Sequence, residues 1–389
     1  MQIREIKEVS VKLSGGISNA VVNFDEHTVS LLAIVTDIIR NGKPVIGYAF
    51  NSIGRFAQSG ILQDRLIPRV LTASPNEILD ANGKYFDPAK VVAVAMKNEK
   101  PGGHGDRAGA MAALELAIWD VNAKLRDEPA YVTIARAFGH DAKSEPVPVY
   151  AAGGYYYPGD AAHVLTEEIK GYLDLGFTAC KIKIGGLSLA EDMSRIEAAL
   201  TILGGGKKLA VDANGRFNLE TAKAYGTEIS PLNLRWYEEI GDPLDFKLNA
   251  EMTQFYDGCI ATGENIFSAR DTSNLVQFAG MRPKLDVFQM DAGLSYGLTE
   301  YAQMIDILEA AGHDRSQAHP HGGHLINLHI VVGLGLGGCE AYPGVFQPFG
   351  GYAPQCKLQE GLVMPSDAPG FGLEQKEELT PHLKALADQ

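Results

Sequence analysis

The hydrophobic rhythm of the chain changes once, near residue 147. Before that point, residues 3–11 alternate apolar and polar side chains, the pattern of a strand with one buried face. A second extended run covers residues 28–37, and the turn Gly42-Lys43-Pro44 leads into a third at 45–50. Helical spacing follows at 61–71, after Gly60, and then at 108–125, where Met111, Leu114, Ile118, Val121 and Leu125 recur every three or four positions. Strands followed by helices predict an α+β domain over residues 1–125. Its two glycine-rich polar loops, 14–19 and 51–55, have the composition of flexible covers over a site, but they read better as ordinary hairpin loops.

From residue 147 short apolar runs alternate with helical segments. Strands are expected at 147–152, 181–183, 209–212, 236–238, 260–264, 287–291, 317–319 and 339–342, with helices at 161–175, 188–203 and 219–228 among those between them. The runs lack alternation, as parallel strands buried on both faces do. Eight strands alternating with helices predict an α/β fold, a (β/α)8-type barrel of the modified TIM kind over 145–345, with the α+β domain as an N-terminal cap. Gly335, Gly337 and Gly338 mark a turn or tight packing before the last strand. The tail, 346–389, turns Pro- and Gly-rich and then charged, and is expected to run back and complete the cap.

Length and charge narrow what such a chain can do. With 389 residues it suits two domains, or a barrel with additions. Acids outnumber bases 48 to 34, and the net charge of −14 argues against nucleic acid and against an anionic membrane as partners. A small anionic substrate then needs local positive groups. Cys180, Cys259, Cys339 and Cys356 lie far apart, the usage of reduced thiols rather than of a disulfide frame or a zinc site. Residues 1–7 have no signal-peptide core and no later run is long enough to span a bilayer, so a cytoplasmic location is expected.

Several charged residues stand where barrel strands end. Lys181 and Lys183 are followed, about one βα unit apart, by Asp212, the pair Glu238-Glu239 and Glu264. Ends of successive parallel strands converge on one face of a barrel, and carboxylates gathered there repel one another unless a cation lies between them. Oxygen ligands on separate rigid strands suit Mg2+. A single acidic residue at a strand end is commonplace; a regular series beside two lysines is not. Residues i and i+2 of a strand share a face, so Lys181 and Lys183 point the same way, and two neighbouring ammonium groups are expected to lower each other's pKa, making one usable as a base. Farther on come Asp291 and the run His319-Pro320-His321-Gly322-Gly323-His324. A histidine and an aspartate on neighbouring strand ends form a dyad whose carboxylate orients the imidazole and raises its pKa. The run also has the spacing of metal ligands, but the carboxylates already account for a metal.

Together, Lys181-x-Lys183, Asp212-Ala213-Asn214, Glu238-Glu239, Gly263-Glu264, Asp291 and His321 resemble the enolase superfamily, in its mandelate racemase subgroup. Ala113-x-x-x-Ala117-x-Trp119-Asp120 extends the resemblance into the helix that ends the family's capping domain. The resemblance implies Asp212, Glu238 and Glu264 as Mg2+ ligands, Lys183 as base on one face of the substrate, and His321 with Asp291 as acid or base on the other. It also implies that Glu340 binds the substrate carboxylate. The sequence departs from many relatives at Gly241-Asp242-Pro243, where proline is expected directly after the glutamates. The implied chemistry begins with removal of a proton next to a carboxylate, in a dehydratase for a hydroxy or sugar acid or in a racemase; a non-catalytic barrel that binds a metal and an organic anion is the alternative from another class. Lys100, Asn51 and Tyr155 to Tyr157 are candidates for reading the far end of the substrate. The expected partners are that small molecule and further copies of the chain.

Overall fold

The computed structural model describes residues 1–14, 16–141, 145–157 and 161–388; Gly15 of the first glycine-rich loop and Pro158 of the loop after residue 153 lie outside them. The N-terminal part is an antiparallel sheet of β1 (Ile3–Lys12), β2 (Thr28–Arg40) and β3 (Lys43–Phe50), with β2 in the centre. Leu31, Leu32, Ala33 and Ile34 of β2 are fully buried, so the two polar-edged outer strands shield an apolar middle one. Helix α1 (Asp106–Arg126) packs against this sheet, and every residue from Ala108 to Ala123 is buried. The helical spacing marked only one of its faces; the other, rich in Ala, is covered too. Gly47 permits the close approach, because a Cβ there would stand 2.4 Å from the Ala117 carbonyl oxygen. The helical run at 59–71 is broken by a π-helical stretch, Leu62–Leu66.

Two buried carboxylates make α1 the spine of the molecule. Glu115 accepts the Leu298 and Thr299 backbone N–H groups at 2.8 and 3.0 Å, capping a barrel helix. Asp120 accepts from the Tyr48 N–H at 2.7 Å and the Phe371 N–H at 2.6 Å, joining the sheet to the C-terminal tail.

The parallel strands are β4 (Val147–Gly153), β5 (Cys180–Lys183), β6 (Leu209–Asp212), β7 (Tyr237–Glu238), β8 (Ile260–Thr262), β9 (Val287–Phe288) and β10 (Cys339–Ala341). They pair in chain order, and β10 returns to pair with β4. Helices α2 (Ala161–Asp174), α3 (Leu189–Leu203), α4 (Leu219–Ile229), α5 (Phe246–Phe255), α6 (Ala269–Phe278), α7 (Leu298–Ala310) and α8 (Leu325–Leu334) alternate with them. The side chains of Ser188, Asn218, Asp245 and Ser268 accept a backbone N–H at the starts of α3 to α6, so each helix begins where its polar cap stands. This is the expected (β/α)8-type barrel with one correction. The strand expected at 317–319 is reduced to a single bridge, Phe288 to Ala318, and the Gly337 N–H donates to the Ala318 carbonyl at 3.1 Å to continue the ring. The 3-10 turn Arg315–Gln317 takes the first residue of the expected run, and the His319 and His321 N–H groups, on either side of Pro320, still donate to the Phe288 and Gln289 carbonyls at 2.8 and 3.1 Å.

The tail first adds a hairpin, β11 (Leu358–Gln359) and β12 (Leu362–Val363), antiparallel to the start of β4. It then ends in α9 (Thr380–Asp388), which packs on β1 and β2. Among the described residues no helix is long and apolar enough to cross a membrane.

Candidate active site

In the parallel register Lys183 lies beside Asp212, and Asp212 beside Glu238. This pairing of neighbouring strand ends, not sequence proximity, gathers the charged side chains. Asp212, Glu238 and Glu264 each offer an oxygen, and the three oxygens lie within 4.8 Å of one another. An all-oxygen set of that size fits a hard divalent cation, whose opposed ligands stand about 4 Å apart at Mg–O distances near 2.1 Å. Among the described residues it is the only such group. His319, His321 and His324 do not converge: His319 packs against Trp236 at 5.8 Å between ring centroids, and His324 caps α8 while its Nε2 meets the Ser52 hydroxyl at 3.0 Å.

Lys181 and Lys183 do share a face. The Lys181 ammonium contacts Glu238, lies 2.8 Å from Glu340 and 3.5 Å from Asp212; that of Lys183 lies 2.6 Å from Asp212. Burial by itself lowers both lysine pKa values, but Glu238 and Glu340 around Lys181, and Asp212 beside Lys183, outweigh it and hold both above the ordinary value. Lys181 still lowers Lys183, as expected, but the carboxylates outweigh that effect and the net shift is upward. Of the carboxylates, burial pushes Glu238 up to about 8, whereas Lys183 and Lys181 overcome burial at Asp212 and hold it at about 2.

Across the cavity, His321 Nδ1 lies 3.1 Å from Asp291 Oδ2. Asp291 Oδ1 accepts from the Gly293 N–H at 2.8 Å and from the Asn327 amide at 3.1 Å, so the carboxylate is fixed before it orients the ring. The other ring nitrogen, Nε2, lies 3.1 Å from the Tyr342 hydroxyl and 4.0 Å from Glu264. Burial lowers the imidazole's pKa, and Glu264, Asp291 and Glu340 more than restore it, to about 9. Glu340 accepts the Gly322 N–H at 2.9 Å, next to His321.

These groups border a cavity of about 450 Å³ lined by Lys183, Glu264, His321, Tyr155 and Tyr342. Both glycine-rich loops reach it. Asn19 ends the first, with Val22 and Phe24 just beyond it, and Ile53, Gly54 and Arg55 come from the second, so both loops are part of the site's wall and not plain hairpin loops. Tyr155 is the member of its tyrosine run that faces the lysines, its ring centroid 5.3 Å from Lys183 Nζ. Four other candidates are placed elsewhere. Lys100 is exposed and does not line the cavity; its carbonyl accepts from Arg107 at 2.8 Å. Asn51 is buried and spends its side chain on the Ser30 N–H, at 2.7 Å, and the Ser52 carbonyl. Tyr156 and Tyr157 send their hydroxyls to Asp192 and Glu168, not to Asp212, Glu238 or Glu264.

Some lining residues carry no mark in the sequence. Arg55 bonds Asn265 and stacks 5.2 Å over Phe267, and Asn265 donates to Glu239 at 2.7 Å. Glu239 sits at φ 39°, which turns it out of the strand and into this relay, leaving Glu238 in the three-carboxylate group. Tyr342 had a signal: it stands two residues beyond Glu340, on the same side of the strand end.

Residues 164–379, more than half of the 389, match the enolase C-terminal domain-like family. The chain belongs to that family. This enolase-family chain is 29% identical to L-talarate/galactarate dehydratase of Salmonella typhimurium over 269 residues, which is 69% of the chain and 64% of that protein. It is 25% identical to arabinonate dehydratase of Saccharolobus solfataricus over 235 residues, 60% of each. The matches thus span less than two thirds of the length of these two relatives. Among solved structures, a racemase from Streptomyces coelicolor A3(2) with bound magnesium shares the fold at a TM-score of 0.76, with 21% identity and 99% of both chains covered. L-talarate dehydratase from Polaromonas sp. JS666, complexed with Mg and L-glucarate, does so at 0.75, with 21% identity over 95% of this chain and 94% of that one.

Proposed function

We propose that this enolase-family chain is a Mg2+-dependent acid-sugar dehydratase, and that its substrate is D-tartrate, converted to oxaloacetate and water. The observation that carries the reading is the placement of an oxygen-ligand triad between Lys183 on one side of the cavity and the His321–Asp291 dyad on the other. The relatives named above as dehydratases support the reaction class. The overall sequence resembles D-tartrate dehydratase, which supports the narrower assignment. Arg55 on the cavity wall supplies a guanidinium for a second carboxylate.

Asp212, Glu238 and Glu264 are the residues that would hold the ion. Held there, Mg2+ would supply the positive charge that stabilises the anion formed from the substrate carboxylate. Lys183 takes the proton from the carbon next to that carboxylate, and the electron pair spreads into the carboxylate as an enediolate. His321 gives its Nε2 proton to the hydroxyl on the next carbon, which leaves with the C–O bonding electrons as water. The resulting enol tautomerises to the 2-keto acid. Asp291 keeps the imidazole facing the cavity, and Glu340 hydrogen-bonds the substrate carboxylate. A barrel that only bound a metal and an anion would need neither Lys183 nor the dyad.

A second reading, dehydration of a six-carbon diacid, is favoured by the talarate/galactarate relative. One screen separates the two. The purified protein with Mg2+ is incubated with D-tartrate, galactarate, talarate and arabinonate, and 2-keto acid is measured. Oxaloacetate from D-tartrate as the dominant product supports the assignment. Turnover of galactarate or talarate alone moves it to the six-carbon acids, and turnover of none overturns it.

A further inference from the structure

Behind the lysines lies a buried polar network that the reaction above does not use. Arg195 of α3 is 2% exposed and Asp192, one turn earlier, is fully buried. The Arg195 guanidinium spans two strand ends, donating from Nη1 to the Lys183 carbonyl at 2.7 Å and from Nη2 to the Gly154 carbonyl at 2.6 Å. Asp192 lies 3.3 Å from Arg195 and accepts the Gly185 N–H at 2.6 Å. The short bend after Lys183 is therefore gripped on both sides, a donor on the carbonyl of 183 and an acceptor on the N–H of 185. Gly154 is gripped likewise, since Glu168 accepts its N–H at 3.0 Å.

The same network reaches the loop over the cavity. Tyr156 gives its hydroxyl to Asp192 at 3.2 Å, and its backbone N–H to the Ser18 carbonyl at 2.9 Å. Ser18 directly precedes Asn19, on the cavity wall. Tyr225 adds a second hydroxyl to Asp192 at 2.9 Å.

A buried ion pair is no economical way to stabilise a fold, since an apolar pair of similar volume commonly does as well or better. What a planar guanidinium adds, and an apolar group or an ammonium cannot, is a fixed two-pronged hold on two carbonyls. The Lys183 ammonium sits at the end of a long side chain, so a small rotation of its peptide swings it far. We propose that Arg195, held by Asp192, is a positioning residue that sets where the Lys183 amine reaches into the cavity, and that Tyr156 ties this brace to the loop above. The inference rests on Lys183 being the base.

The test measures kcat and KM with D-tartrate, or with galactarate should D-tartrate not turn over, and Mg2+ affinity by calorimetry, for Lys183→Ala, Arg195→Lys and Tyr156→Phe. Arg195→Lys keeps the charge and loses the fork. Its kcat falls by about 10- to 100-fold, the scale of a misplacement of about 1 Å, with KM and Mg2+ affinity within about twofold. Tyr156→Phe, which leaves the fold intact because it removes only a hydroxyl, gives a smaller loss of the same kind and decides the matter should Arg195→Lys misfold. Wild-type turnover in Lys183→Ala overturns the base assignment itself. An inactive Lys183→Ala beside unchanged kcat in the two brace variants overturns the positioning role alone, and so does a loss of kcat matched by an equal loss of Mg2+ affinity.

Discussion

Replacing Asp291 by Asn isolates what the dyad contributes. The substitution keeps the shape, and its side-chain oxygen can still accept from the Gly293 N–H and the Asn327 amide. It removes the charge that stands 3.1 Å from His321 Nδ1. A hydrogen bond to a charged group contributes about 1.5 to 3 kcal/mol, and about 1.36 kcal/mol corresponds to one pKa unit. The imidazole, held at about 9 against its ordinary 6.5, should then drop by about 1 to 2 units and no further, because Glu264 and Glu340 keep acting on it. The sign for stability follows. A histidine whose folded pKa lies above 6.5 contributes stability that is complete below that pH and lost as pH rises through about 9, so in the variant the loss is complete at a lower pH. If His321 is the acid, the alkaline limb of kcat also moves down. The direct assay is an NMR titration of the imidazole signals in EDTA-treated protein, with the His321 signal identified by its absence in His321→Asn. A shift below about 0.3 unit, roughly 0.4 kcal/mol, would refute the argument that Asp291 holds the proton on His321.

Lys100→Ala should leave kcat and KM within about twofold in a steady-state assay, because a surface residue away from the cavity carries no transition-state contact. Gly337→Ala should lower unfolding free energy by about 3 kcal/mol or more in urea, since its Cβ would stand 1.8 Å from the Ser316 carbonyl oxygen, a clash with backbone that no rotamer relieves. Chelation with EDTA should abolish turnover, and added Mg2+ should restore it, because the anion formed from the substrate carboxylate would lose the counter-charge that an ion held by Asp212, Glu238 and Glu264 would supply.

How much of this was readable beforehand varies with the range of the forces involved. Asp212, Glu238 and Glu264 were legible because each stands at or just past the end of a short apolar run, the pattern of a buried parallel strand, and the ends of such strands converge in a barrel. Helix starts were legible for the same local reason, as at Ser188 and Asn218. The seventh strand failed because the run that looked long enough begins in the 3-10 turn Arg315–Gln317, which left only the Ala318 bridge. Arg55, Asn265 and the loop at 19–24 could not be placed, since their position depends on how the cap docks through α1 and not on any local pattern. Asn51 and Lys100 were chosen by residue type alone, and type does not say which way a loop side chain turns. The lysine pKa values were misjudged for a related reason: their sign depends on how many carboxylates three-dimensional pairing brings to each ammonium.

The claim on which the rest depends is that Lys183 removes the proton next to the substrate carboxylate and His321 serves the leaving hydroxyl. Its most direct test is isotopic: each variant is incubated in D2O with D-tartrate and Mg2+, and the recovered substrate is examined by mass spectrometry and proton NMR. Deuterium incorporated by His321→Asn and none by Lys183→Ala is the predicted result. Deuterium incorporated by Lys183→Ala and none by His321→Asn would contradict it.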